Sequence, residues 1–205
     1  IDLLQNREYS LHDRLVNVLS ATAEIQYALD EEDTEEIKAI AQELSHPEII
    51  AERVESLKKA LPEKPLENAE NMLLYLERLD FIGDILPQQI KDASRFVKKL
   101  SAPLKAQTSG EYEKLAVYFV YRYFLKAVRD FDLLSKIKAM IVFVFAAEVI
   151  NLSREQDAHA RFETVKELCK EIEYSGDNMD RIYDDSYLSD IFSDTSMLAL
   201  LEWTL

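Results

Sequence analysis

The run AMIVFVFAA, Ala139 to Ala147, carries no polar side chain, and it constrains the fold more than any other stretch of the chain. Its middle, Ile141-Val142-Phe143-Val144-Phe145, has high strand propensity, because β-branched and aromatic side chains suit a pleated surface. Length and flanks decide against a strand. The apolar pattern starts at Leu133-Leu134-Ser135-Lys136-Ile137 and continues through Ala146-Ala147-Glu148-Val149-Ile150, with no Gly or Pro inside. That is about five helical turns, where a strand would have stopped after about six residues. A helix that is apolar on most sides must be covered on most sides. The sequence therefore predicts a buried central helix at about 132–151, with the other elements wrapped around it. It does not predict a membrane span. The unbroken run is far below the roughly 20 residues that a bilayer requires, and Lys136, Lys138 and Glu148 bracket it.

The stretch before it, from Glu111, holds the densest aromatic cluster: Tyr112, Tyr118, Phe119, Tyr121, Tyr123 and Phe124. Arg129-Asp130-Phe131-Asp132 is a polar break in which Asp130 or Asp132 can cap the helix that follows. This reads as two helices joined by a tight turn. Elsewhere, Ser10 caps a helix to about Asp30, with Leu11, Leu15, Val18, Leu19, Thr22, Ile25 and Leu29 on one face. Asp33 and Glu36 form a capping box for a helix to about Leu44, and Pro47 sits in the first turn of another that runs to Ala60. Leu61-Pro62-Glu63-Lys64-Pro65 is a break. Helices at about 66–81 and 88–100 flank Gly83 and Pro87, and Thr108-Ser109-Gly110 precedes the central pair. Ser153 caps a helix to about Glu173, Gly176 bends or ends it, and Asp194 or Thr195 caps a last helix, Ser196 to Trp203. With only 3 Gly and 5 Pro in 205 residues, long helices and short loops are favoured over β or Gly-rich nucleotide folds. The expectation is an all-α fold: a single irregular multi-helix bundle, one domain over 1–205, with a possible subdivision near 101–110.

A formal charge of −15 argues against nucleic acid or an anionic membrane as a partner. A single cysteine, Cys169, excludes an internal disulfide or a cysteine-cluster metal site and fits a reducing cytoplasm. No signal peptide opens the chain, and Ile1-Asp2-Leu3-Leu4 starts within a helical pattern, so a longer parent protein is expected.

Three blocks carry a resemblance. The first is Leu4-Gln5-Asn6-Arg7-Glu8-Tyr9-Ser10-Leu11-His12-Asp13-Arg14-Leu15. The second is Tyr121-Arg122-Tyr123-Phe124-Leu125-Lys126-Ala127, followed by Asp132-Leu133-Leu134-Ser135-Lys136-Ile137-Lys138. The third is Glu171-Ile172-Glu173-Tyr174-Ser175-Gly176-Asp177-Asn178. In order and spacing they resemble the C-terminal part of the bacterial flagellin lysine-N-methylase family. Two departures stand out: the family's upstream cysteine-rich segment has no counterpart here, and Tyr174 stands where the family commonly has His. The resemblance implies methyl transfer from S-adenosylmethionine to lysine side chains of flagellin. It also implies that S-adenosylmethionine and an iron-sulfur cluster belong to the longer parent, with no cofactor held by this chain, which alone is expected to be inactive. The rival expectation, of a different class, is a non-catalytic helical domain that docks a protein partner.

Methyl transfer to lysine needs a neutral amine and a group that takes up the ammonium proton, and aromatic faces can hold the cations involved. Tyr118, Tyr121, Tyr123 and Glu148 are of the right types, with Tyr121 and Glu148 the catalytic candidates. The same tyrosines also suit the core and rim of a helix pair. A buried Glu148 would have a raised pKa, whereas near a helix end it would pair with Lys or Arg. Arg122, Lys126 and Arg129 form a basic stripe at i, i+4 and i+7, a candidate contact, with Tyr118, for a substrate or acidic partner. Glu155, His159 and Glu163 lack the Glu-x-x-His pairing of a di-iron bundle, and no metal site is expected. Gly83, Gly110 and Gly176 stand alone, so no phosphate loop or Rossmann turn is present.

Overall fold

The computed structural model describes residues 1–59, 64–104, 109–154 and 157–203, and no strand occurs among them. In chain order the α-helices are α1 (Asp2–Gln5), α2 (Leu11–Asp30), α3 (Thr34–Glu43), α4 (Pro47–Lys59), α5 (Pro65–Leu76) and α6 (Ile85–Val97). Then come α7 (Ser109–Tyr123), α8 (Ala127–Asp130), α9 (Leu134–Leu152), α10 (Ala158–Leu168), α11 (Gly176–Leu188) and α12 (Asp194–Leu201). Single 3₁₀ turns occupy Phe124–Lys126 and Asp190–Phe192, and a π-helical turn, Cys169–Glu173, extends α10.

The apolar run forms α9, buried from Ser135 to Asn151 and packed against α2, α6, α7, α10, α11 and α12. The Phe143 ring meets Phe119 of α7 at 4.4 Å between centroids. On another side Phe145 meets the fully buried Trp203 edge-on at 6.2 Å. No helix among the described residues is long and apolar enough to cross a membrane.

The caps expected at Ser10 and Asp33 form: their side chains accept from Asp13 N–H (3.1 Å) and Glu36 N–H (3.0 Å). At the start of α9, Asp132 accepts from Ser135 N–H at 3.1 Å. Gln26 of α2 reaches across to accept from Leu133 N–H at 2.7 Å. Three boundaries differ from expectation. Ser153 closes α9, donating to the Ile150 carbonyl at 2.7 Å, and the next helix is capped by Asp157, which accepts from Ala160 N–H at 2.9 Å. Ser193 caps α12 in place of Asp194 or Thr195. Gly176 opens α11, which Ser175 caps, where a bend or end was expected.

The tight turn before α9 is longer than expected. α7 stops at Tyr123, and a 3₁₀ turn and α8 intervene. Phe131, at φ 57°, donates its N–H to the Ala127 carbonyl to close α8. No Gly or Pro marks the end of α7. It falls where Arg122 and Tyr123 turn onto Glu173, a tertiary contact that local signals do not encode. α5 also ends early, at Leu76, and the loop that follows is held by the third sequence block. Asn178 donates to Asp80 O at 2.7 Å and accepts from its N–H at 3.0 Å. Glu171 accepts from Ile82 N–H at 2.7 Å and Gly83 N–H at 3.1 Å. A Cβ on Gly83 would lie 3.0 Å from Glu171 Oε1, a contact that the carboxylate would have to relieve by shifting a little. Ala60, Leu61, Pro62, Glu63 and Thr108, named in the expected breaks and helix ends, lie outside the described residues.

Candidate functional site

Tyr112, Leu115 and Tyr118 recur every three residues and so share one face of α7. Phe162 and Val165 do the same on α10. Both helices pack on α9, and these faces border a groove of about 830 Å³, within the size range of small-molecule and side-chain binding clefts. One rim is clasped by a two-pronged ion pair: Arg161 Nε and Nη2 each donate to a Glu111 oxygen at 2.8 Å. That bond holds the Glu111 carboxyl below its ordinary pKa.

Beside this clasp, α9 contributes Asn151 to the lining. Its Nδ2 donates to the Tyr112 hydroxyl at 3.1 Å, while its buried Oδ1 has no hydrogen-bond partner among the described residues. Glu148 lies one helical turn earlier. It is 0% exposed, and neither carboxylate oxygen has a partner among the described residues. Desolvation disfavours the charged form and raises the Glu148 pKa well above the ordinary carboxylate value. The Tyr112 hydroxyl is pushed up to about 12, chiefly by burial, with the Glu148 charge adding to it.

The opposite end is built around Glu173. The π-helical turn, in which Tyr174 N–H donates to the Cys169 carbonyl at 2.9 Å, carries this carboxylate in toward α7. Glu173 accepts from the hydroxyls of Tyr118 at 2.6 Å and Tyr123 at 2.7 Å, and Arg122 Nε lies 2.8 Å from the same oxygen. The Arg122 guanidinium is 5.9, 5.6 and 5.4 Å from the ring centroids of Tyr118, Tyr123 and Tyr174, inside cation–π range. Burial first, then the bond to Glu173, pushes the Tyr123 hydroxyl up to about 12. The same two causes raise the Cys169 thiol, so it is not poised as a thiolate nucleophile.

The residues singled out from sequence therefore part company. Tyr118 and Arg122 meet at Glu173, and Glu148, fully buried and not itself in the lining, lies one turn from Asn151, which lines the other end of the groove. Tyr121 is exposed and does not line the groove. Lys126 stands 4.7 Å over the Tyr123 ring, and Arg129 is exposed on α8, so the basic stripe is divided among three elements. His159 is exposed, Glu163 pairs with Lys166 at 2.8 Å, and Glu155 lies outside the described residues. No group of three metal-ligating side chains occurs among the described residues. Sequence reasoning missed Glu173 and Asn151. One reads as a surface charge on an acidic-basic helix and the other as a helix end, and only the packing of α7 and α10 on α9 gives them a role.

The first block acts at a distance from the groove. Arg7 and Arg14 converge on Glu113 of α7 at 2.8 and 2.7 Å, and Arg14 also donates to the Leu4 carbonyl. The bond from Arg7, with that from Arg14, holds the Glu113 carboxyl down to about 2. This joint fixes α1 and α2 against the helix that forms one groove wall.

Compared with known families, residues 1–200 match the one described as the FliB lysine N-methylase C-terminal domain. No curated protein and no solved structure matches the chain.

Proposed function

Because the chain belongs to the FliB lysine N-methylase C-terminal domain family, we propose that it is the helical domain of a lysine N-methylase. In this reading it takes part in the S-adenosylmethionine-dependent methylation of lysine side chains of flagellin. The observation that carries the reading is the family match over residues 1–200. The groove between α7 and α10 supplies a place for a substrate side chain: aromatic and aliphatic walls, and oxygen acceptors at both ends.

The chemistry of the donor set separates what this chain can hold from what it cannot. An iron-sulfur cluster takes about four thiolates, and the chain has one cysteine. S-adenosylmethionine, when bound, supplies an electrophilic methyl group, but its carboxylate finds a poor match here. Arg161, Lys166 and Lys170 at the groove are already paired with Glu111, Glu163 and Glu167 or Glu171, which leaves the exposed Lys114 as the remaining cation of the lining. The groove thus suits the acceptor of the methyl group better than its donor, and both cofactors fall to the rest of a longer parent in the cytoplasm. This chain's own contribution is to seat an amine between aromatic faces, exclude water from it and present oxygens to its N–H groups.

A second reading rests on a separate observation. Tyr121, Leu125, Val128 and Phe131 are all more than half exposed at the α7–α8 corner, an apolar surface suited to a protein partner. Isotope-labelled methyl transfer to flagellin by the full-length protein separates the two. Label in flagellin lysines supports the methylase reading, whereas stable association with flagellin and no label supports the docking one. The isolated chain is expected to transfer no label.

A further inference from the structure

We propose that the Tyr112 end of the groove is a seat for a primary ammonium, the ε-amino group of a lysine side chain, held by Asn151 Oδ1, the Tyr112 hydroxyl oxygen and the Glu148 carboxyl behind them. The proposal rests on the methylase reading for the identity of the lysine, and on the structure alone for the chemistry of the seat.

Three observations converge there. First, the polar atoms without partners at this end are oxygens: Asn151 Oδ1, an acceptor on a residue 5% exposed, and both oxygens of the fully buried Glu148, which both accept once its carboxyl has passed its proton to an entering amine. Buried acceptors normally have partners, so a group left this way awaits a donor. An ammonium carries three N–H donors and no acceptor, the complement of this set. Second, the approach is apolar. Tyr112 and Leu115 of α7 face Phe162 and Val165 of α10 across the groove, a lining that fits four methylenes. Third, the nearby cation is committed elsewhere, since Arg161 is bonded through two nitrogens to Glu111. Among the described residues Glu148 makes no ion pair, and its raised pKa comes from burial.

The other end of the groove differs in kind. Two tyrosine hydroxyls and a guanidinium meet one oxygen of its carboxylate, Glu173; the other, Oε2, has no partner among the described residues, but the charge is already answered by Arg122. At the Tyr112 end no ion pair answers Glu148 among the described residues.

The test is calorimetric titration of the chain with Nα-acetyl-lysine amide and with Nα-acetyl-norleucine amide, which keeps the stem and lacks the nitrogen. The seat predicts that the lysine probe binds at least ten-fold more tightly. Glu148→Gln and, separately, Tyr112→Phe should bring the lysine affinity down toward the norleucine value and leave the norleucine affinity unchanged, with circular dichroism confirming that both variants are folded. Equal affinities in the wild-type chain, absence of binding by either probe, or a lysine preference that survives both substitutions would overturn the seat. Methyl transfer by the full-length protein is measured separately. Flagellin methylation without a lysine preference in the groove removes the seat alone, and a lysine preference without methylation removes the methylase reading while the seat stands.

Discussion

Two carboxyl groups on neighbouring helices are shifted in opposite directions, and each shift has a consequence for stability. Glu148 is buried without a partner, so its folded pKa lies above its unfolded one. The native state therefore keeps a proton that the unfolded chain releases above about pH 4.3, and stability falls as pH rises through that window. Glu148→Gln, which removes the charge and keeps the shape, should melt with the wild type near pH 4. It should melt progressively above it toward pH 8, as followed by circular dichroism. Identical pH profiles would show that Glu148 has a partner in solution. Glu113 is the reverse case. Arg7 first, and Arg14 with it, hold its carboxyl down to about 2, so its contribution is complete above the ordinary carboxylate range and is lost as pH falls toward 2. Glu113→Gln should unfold at a less acidic midpoint in guanidinium-free acid titration if this pair carries acid stability; an unchanged midpoint would deny it that role. Glu148 was only half legible: the sequence offered either burial with a raised pKa or pairing near the helix end, and the structure gives burial without a partner among the described residues. Glu113 and Glu173 were not legible, since a glutamate on a charged helix gives no sign of which arginine or tyrosine the fold will bring to it.

At the scale of elements, the helices were legible where local chemistry decides them. The apolar run became α9, and the Ser10 and Asp33 caps formed as side-chain rules require. Boundaries failed where a neighbour serine or aspartate offered the same chemistry, as with Ser193 beside Asp194, or Asp157 after Ser153. They failed also where the determinant is tertiary. The end of α7 follows from the contacts of Arg122 and Tyr123 with Glu173, and α11 was hidden because Gly176, read as a stop, serves as a first helical residue behind the Ser175 cap. The centrality of α9 yields a direct expectation. Phe143→Ala, which removes a ring that is 2% exposed and packed on Phe119, should destabilise by about 3–5 kcal/mol. Lys38→Ala on α3, whose side chain is 64% exposed in a pair with Glu35, should cost less than about 1 kcal/mol. Denaturant midpoints measure both, and equal values would mean that the core lies elsewhere.

Across the whole molecule, the parts of the chain that carry the family resemblance hold the groove in shape mostly from outside its lining, to which the third block adds Tyr174. The first block clamps α7 through Glu113, and the third pins the loop after α5 through Glu171 and Asn178 and closes the Arg122–tyrosine cluster through Glu173. A site assembled from joints between distant segments explains why its outline escaped a reading of local motifs. In the proposed function, the α7–α10 groove receives the lysine to be methylated. Phe162 is a suitable probe, because it lines the groove yet is 64% exposed, so replacing it spares the core. The most direct measurement is labelled methyl incorporation into flagellin lysines by the full-length protein bearing Phe162→Asp, beside the wild type and an exposed-surface control, Ile82→Ser. A lysine seated in the groove predicts at least a ten-fold loss of incorporation for Phe162→Asp, with its melting temperature within about 2 °C of the wild type, and full incorporation for the control. Wild-type incorporation by Phe162→Asp would contradict it.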